Sequence, residues 1–212
     1  MSAPRVLEVR RLGRTRYAEA HALQQSLLEQ RVARAIGDVL LLTEHDPVVT
    51  VGRGAGLEAA GTVAMPVVSV ERGGEATYHG PGQIVGYPIV LLDEDRRDLH
   101  RWLRELEEVV IATLFDFGVA GRREDGFTGV WIGARKVCSI GVAVRRWVTW
   151  HGFALNVHTD LAGFRAFQPC GLDPDVMTRL ADHVARPVTS VEVEDALVAH
   201  TRRILGFDPD TV

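Results

Sequence analysis

A chain of 212 residues, 46% hydrophobic and 25% charged, is long enough to bury a sizeable core and has the composition of a soluble globular protein. A net charge of -4 excludes a general nucleic-acid-binding surface, so no nucleic-acid partner is expected. Two cysteines, Cys138 and Cys170, are too few for a disulfide-built secreted scaffold. The N-terminal MSAPRVLEVRRLG lacks the apolar stretch of a signal peptide, and no apolar run reaches membrane-spanning length. The expectation is a cytoplasmic monomer with no membrane partner and one domain over residues 1–212, since no repeat, low-complexity tract or long linker divides the chain.

Taken in chain order, residues 17–35 read as a helix, with Ala20, Leu23 and Leu27 on one face and Thr15 as its N-cap. VLLLTE (39–44) and VVTVG (48–52) are short β-rich runs parted by the turn His45-Asp46-Pro47. PVVSV (66–70) is a further strand, followed by the glycine-rich RGGEATYHGPGQ. QIVGYPIVLL (83–92) is also a strand, and its Gly86 and Pro88 favour a sheet edge or a bulge.

Residues 98–117 form the clearest helix. Leu99, Trp102, Leu103, Leu106, Val110 and Leu114 make an apolar stripe, and Gly118 stops it. TGVWIG, ARKVCSIGVAV and WVTWHGFALNV then read as an antiparallel meander. Asp173-Pro174 marks a helix start, Thr189 and Glu192 a capping box, and Gly206 the end of a last helix. The fold class is therefore α/β of the α+β type: a mixed, mostly antiparallel sheet flanked by helices, not a doubly wound parallel one.

Four stretches bear residues suited to chemistry. RGGEATYHGPGQ sets Arg72, Thr77, Tyr78 and His79 among glycines that let a ligand approach the backbone. It lacks the spacing of a phosphate-binding loop, and the alternative is an ordinary wide turn. VGRGAG (51–56) is a second, weaker glycine-rich loop.

Lys136 is the only lysine; the other basic residues are all arginine. An amine can act as a base where a guanidinium cannot. Strand alternation puts Lys136, Cys138, Ile140, Val142 and Val144 on one face, with Lys136 at a rim or in a pocket. A snorkelling lysine is the alternative, and Cys138 reads most simply as a core residue.

Cys170, in FQPCGL ahead of Asp173-Pro174, is placed where a helix N-terminus would favour a thiolate. An inert loop cysteine is equally open. By alternation His151 shares a face with Phe153, Leu155 and Val157, as a pocket residue or a core histidine. No pair of His or Cys has zinc-ligand spacing, so neither metal nor cofactor is expected.

Together RGGEATYHGPGQIVGYPI, RKVCSIGV, HGFALNV and FQPCGL, with TEHDPVVTVGR upstream, resemble the lipoyl(octanoyl) transferases of lipoate biosynthesis. The likeness runs along nearly the whole chain. It implies the fold shared by the catalytic domains of biotin and lipoate protein ligases. It implies transfer of octanoyl from octanoyl-acyl carrier protein to a lysine of a lipoyl domain, such as those of 2-oxoacid dehydrogenases or the glycine cleavage H protein.

The same likeness places the acyl-thioester cysteine at Cys170 and its partner at Lys136. It places acyl contacts at Arg72, Gly73, Gly74, Glu75, Ala76, Thr77, Tyr78 and His79, at Ser139, Ile140 and Gly141, and at Gly152, Phe153 and Ala154. Backbone N–H groups near Cys170 and at Gly73 and Gly74 are candidate oxyanion donors. Arg122-Arg123 and Arg145-Arg146 are candidate docking pairs for an acidic carrier protein. Three rivals remain: an ATP-dependent lipoate ligase on the same fold, a silent acyl- or lipoyl-domain-binding module, and a thiol hydrolase.

Overall fold

A computed structural model describes residues 5–166 and 173–209. Its main sheet has seven strands in the order β1-β2-β6-β10-β9-β8-β7. These are β1 (Leu7–Thr15), β2 (Asp38–His45), β6 (Gln83–Ile89), β7 (Gly121–Arg122), β8 (Gly129–Ile132), β9 (Arg135–Arg145) and β10 (Val148–Asn156). The β1–β2 pair is parallel and every other pair in this sheet is antiparallel. A second sheet, β4-β3-β5, comprises β3 (Val48–Val51), β4 (Val67–Ser69) and β5 (Ala76–His79). The mixed, mostly antiparallel expectation holds.

Helix α1 (Tyr17–Val32) covers one face of the main sheet: Ala20, Leu27 and Leu28 pack with Val39, Leu41, Val85, Tyr87 and Ala154. Helices α2 (Leu99–Asp116) and α3 (Ser190–Leu205) cover the other, where Trp102, Leu106, Val110, Leu114, Val193 and Leu197 meet Leu40, Leu42, Ile84, Phe153 and Leu155. Alternation along each strand feeds both cores, which is why β2, β6 and β10 are buried almost without a break.

The helix ends follow local chemistry. Asp98 caps α2 by accepting from the N–H groups of His100 and Arg101, and Gly118 (φ 75°) follows its end. At α3 the expected capping box is complete: Thr189 Oγ1 accepts from Glu192 N, and Glu192 accepts from Thr189 N at 2.8 Å. Gly206 ends it in the left-handed conformation. Thr189→Ala should therefore lower unfolding free energy by about 1 kcal/mol, seen as a lower denaturant midpoint at unchanged slope.

Several expectations require correction. α1 has Arg16 at its N-cap with no side-chain bond, because Thr15 finishes β1 and its hydroxyl meets Thr43 Oγ1 at 2.9 Å. β6 is interior, not an edge. Pro88 is tolerated because β10 pairs β6 only as far as Phe153–Gly86. Beyond that point Pro88 needs no N–H, and its carbonyl accepts from Thr149 Oγ1 at 2.8 Å. The irregularity belongs to β10, where His151 has φ 56°. Asp173-Pro174 opens only a three-residue 3-10 turn, Pro174–Val176, too short to offer the dipole of an α-helix.

Candidate functional site

The site lies where the glycine-rich loop after β4 folds over the open part of the main sheet. Arg72 anchors this loop from within. It is 8% exposed. Its guanidinium donates to Thr50 O (2.8 Å), Thr50 Oγ1 (2.9 Å) and Gly73 O (3.0 Å). Gly73 N then donates to Val142 O at 2.9 Å, docking the loop on β9.

Behind the loop, Gly52 N, Arg53 N and Gly54 N donate to the carbonyls of Glu75, Arg72 and Gly74. The VGRGAG segment is therefore a buttress. A Cβ on Gly54 would meet Gly74 O at 2.9 Å, so glycine is needed for that close approach.

Loop, β9 and β10 enclose a cavity of about 480 Å³, within the ordinary range for a small-ligand site. Of the residues expected to contact an acyl group, all but Ala76 and Tyr78 line it. β5 alternates: Thr77 and His79 face the cavity, whereas Ala76 and Tyr78 pack with Val49, Phe164 and Met177 beneath the smaller sheet. Leu99, Leu103, Phe127 and Val142 add apolar wall that motif reading missed. The apolar stripe of α2 predicts Leu99 and Leu103 on its core face. Their place at its first turns puts them over the cavity instead.

Lys136 also lines this cavity and is 4% exposed. It does not share a face with Cys138. The β8–β9 ladder pairs Val130 with Cys138 and Trp131 with Lys136, leaving Val137 as an extra residue. This bulge moves Lys136 to the side of Trp131, Gly129 and Ser139. Its Nζ lies 4.9 Å from the centre of the Trp131 ring. Its Cε fills the space above Gly129, where a Cβ would come within 2.8 Å. Glu107, 0% exposed, holds that spot: it accepts from Gly129 N at 3.1 Å while Arg104 (2.7 Å) and Arg123 (3.0 Å) balance its charge.

Cys138 stays in the core with Val130 and Leu155, and burial pushes its thiol up to about 12. Cys170 lies outside the described residues, as does the rest of FQPCGL.

A buried relay ties the loop to Lys136. His79 Nδ1 donates to Gln83 Oε1 (2.7 Å), and Gln83 Nε2 donates to Asn156 Oδ1 (3.0 Å). Asn156 Nδ2 donates to Thr178 O (3.0 Å), and Thr178 N donates to Lys136 O (2.9 Å). Burial lowers His79 to about 3, so its ring is neutral. Its Nε2 is then left to accept from the Thr50 hydroxyl at 3.3 Å. His151 lines the cavity as Phe153 does, but not from the same face: its positive φ turns the ring to the α1 side, stacked on Trp150 at 4.2 Å.

The model of the lipoyl protein ligase A/B catalytic domain matches residues 16–202. The chain belongs to this family. Its relatives include an octanoyltransferase of Syntrophotalea carbinolica, 47% identical over 199 residues and 94% of each chain. Another, from Rubrobacter xylanophilus, is 47% identical over 213 residues, 96% of this chain and 95% of the relative.

Among solved structures, a bi-partite lipoate protein ligase of Thermoplasma acidophilum superposes with TM-score 0.74 at 21% identity, covering 98% of this chain and 88% of that one. Biotin protein ligase from Aquifex aeolicus superposes with TM-score 0.55 at 12% identity, covering 96% and 69%. These likenesses show the fold: the ligase-type catalytic fold expected from the sequence. No described helix is long and apolar enough to cross a membrane.

Proposed function

We propose that this enzyme is an octanoyltransferase. It moves octanoyl from octanoyl-acyl carrier protein to a lipoyl-domain lysine through a thioester on Cys170. The observation that carries the reading is the sole lysine, buried at an apolar cavity under a glycine-rich wall, in a chain whose full-length relatives include octanoyltransferases.

In the first half-reaction the neutral Lys136 amine takes the Cys170 thiol proton. The thiolate attacks the octanoyl carbonyl, and the carrier thiolate leaves with the proton returned by Lys136. In the second, the acceptor lysine attacks the acyl-enzyme. Lys136 takes its proton, and the Cys170 thiolate leaves as the amide forms. Thioester exchange is nearly balanced and amide formation runs downhill, so no ATP is needed.

Gly73 N–H, already given to Val142 O, does not serve the oxyanion. A short tether supports the pairing of Cys170 with Lys136. Met177 bridges Lys136 in parallel and is seven positions after Cys170, and Asp173 is three after it. Ile140, Phe153, Leu99 and Leu103 offer the chain an apolar wall. Each methylene buried there contributes about 0.8 kcal/mol, which makes chain length a selectable property.

For carrier docking, Arg145-Arg146 at the β9–β10 turn is the better candidate, since Arg145 makes only a long, exposed pair with Glu29 (3.7 Å). Arg123 is committed to Glu107 and Glu108, and Arg122 to Glu124. The test is transfer to a lipoyl domain without ATP or Mg²⁺. Full activity without nucleotide, lost at least about 10³-fold in Cys170→Ser, is the expected result. Dependence on ATP would make the enzyme a ligase, and release of free octanoate without acceptor would make it a hydrolase.

A further inference from the structure

Beside the cavity, on the α1 side of the sheet, three side chains from distant parts of the chain converge. His21 comes from α1, Glu71 from the residue before Arg72, and His151 from β10. His21 Nε2 lies 3.0 Å from Glu71 Oε2, and His151 Nε2 lies 3.5 Å from the same oxygen. Among the described residues, no other group of three or more His, Cys, Asp or Glu side chains brings its ligand atoms within 4.8 Å of one another.

We propose that His21, Glu71 and His151 form a binding site for a late first-row divalent cation, with zinc the best fit. Two imidazole nitrogens and one carboxylate oxygen are a donor set that zinc favours. Arms of about 2.0–2.1 Å in a tetrahedron place ligand atoms roughly 3.3 Å apart. The 3.0 and 3.5 Å separations bracket that edge and the two imidazole nitrogens lie within 4.8 Å of each other, so a cation between the groups would need only modest side-chain adjustment.

Two further observations point to a ligand. His151 Nε2 is buried, in a residue 2% exposed, and has no hydrogen-bond partner. Glu71 Oε2, its nearest acceptor, stands at the 3.5 Å limit and does not satisfy it. A buried polar nitrogen left in this way is costly, and a coordinated cation would remove the cost. His151 also holds a left-handed backbone (φ 56°), fixed by donation from its own N–H to Gln24 Oε1 at 3.1 Å and by the Trp150 ring. Strain of about 1–3 kcal/mol in a non-glycine residue is retained where it aims a side chain. Here it turns the imidazole away from the Phe153 core and toward His21 and Glu71.

Entry is available from the surface. Glu71 lines a second cavity with Gln25, Glu29 and Arg53, and three protein ligands would leave a fourth position for water. The cation would clamp α1, the residue before Arg72 and the residue before Gly152, so its effect falls on the back of the cavity wall. The sequence conceals this site because its ligands are 50 and 80 positions apart, outside any zinc spacing.

The inference is independent of acyl transfer, and its test reads metal directly. Zn²⁺ is titrated calorimetrically into the Cys170→Ser protein, which lacks the thiol that could bind zinc by itself, and into the same protein carrying His21→Gln or Glu71→Gln. Co²⁺ absorption reports the coordination geometry. The expected result is one Zn²⁺ per chain, a melting temperature that rises with Zn²⁺, and affinity lowered in both variants by more than the roughly 10–100-fold that loss of an outer-shell partner costs.

His21→Gln should keep its basal transfer rate in chelator when Cys170 is present, because His21 does not line the cavity. No saturable Zn²⁺ binding, or undiminished binding in the folded variants, would overturn the site. The cluster would then be a hydrogen-bonded support only.

Discussion

Replacing Lys136 by arginine is expected to abolish octanoyl transfer while the protein stays folded. The guanidinium keeps its proton at every working pH, so it cannot take one from Cys170 or from the acceptor amine. Loss of a general base costs about 10²–10⁴ in rate. Position 136 is buried against Trp131 and Gly129, so a bulkier head also strains its surroundings. Such overpacking costs about 1–3 kcal/mol, within reach of a total stability of roughly 5–15 kcal/mol.

Lys136→Met separates the two effects. It keeps the length and apolar stem and removes only the amine. Both variants should show native circular dichroism and no more than about 1% of normal turnover. Turnover within about tenfold of the parent in Lys136→Arg would remove Lys136 from the chemistry.

Gly152→Ala is expected to be the most damaging small substitution in the main sheet. A Cβ at Gly152 would run into the Gly86 carbonyl and would stand 2.6 Å from Pro88 Cδ. Both belong to interior strand β6, whose backbone is held by β2 on its far side, so neither can yield cheaply. The expected loss is about 2–4 kcal/mol, or some 5–15 °C in melting temperature for a chain of this size.

Gly37→Ala is the control. Nothing lies within 4 Å of its Cβ position, and its change should stay within about 0.5 kcal/mol. Equal melting temperatures for Gly152→Ala and Gly37→Ala would show that β6 and β10 are not so closely apposed.

The parts that were legible in the sequence are those where local chemistry and packing agree. The stripe on α2, the capping box and Gly206 of α3, and the β8–β9–β10 meander all follow from periodicity and end signals. β1 was not legible. LEVRRLGRT carries three arginines because it is an edge strand, where charge protects against pairing with other chains, and Arg11 reaches Glu194 and Asp195 on α3.

Strand alternation failed at two points for one reason: it assumes an unbroken ladder. The extra residue Val137 shifts Lys136 to the other face, and the positive φ of His151 turns its ring across the sheet. Both breaks adjoin the cavity, where irregular backbone aims side chains that regular pleating would place elsewhere. Glu107, beneath Gly129, left no signal because a buried carboxylate looks like any other acidic residue on an exposed helix face.

An acyl group carried by Cys170 is the centre of the proposed mechanism, and intact-protein mass spectrometry tests it most directly. The protein is mixed with octanoyl-acyl carrier protein without ATP or acceptor, and the adduct is mapped by peptide. One octanoyl group on Cys170, discharged when a lipoyl domain is added, is the predicted result. An adduct on Cys138, or none on either thiol while octanoyl still reaches the acceptor, would contradict it.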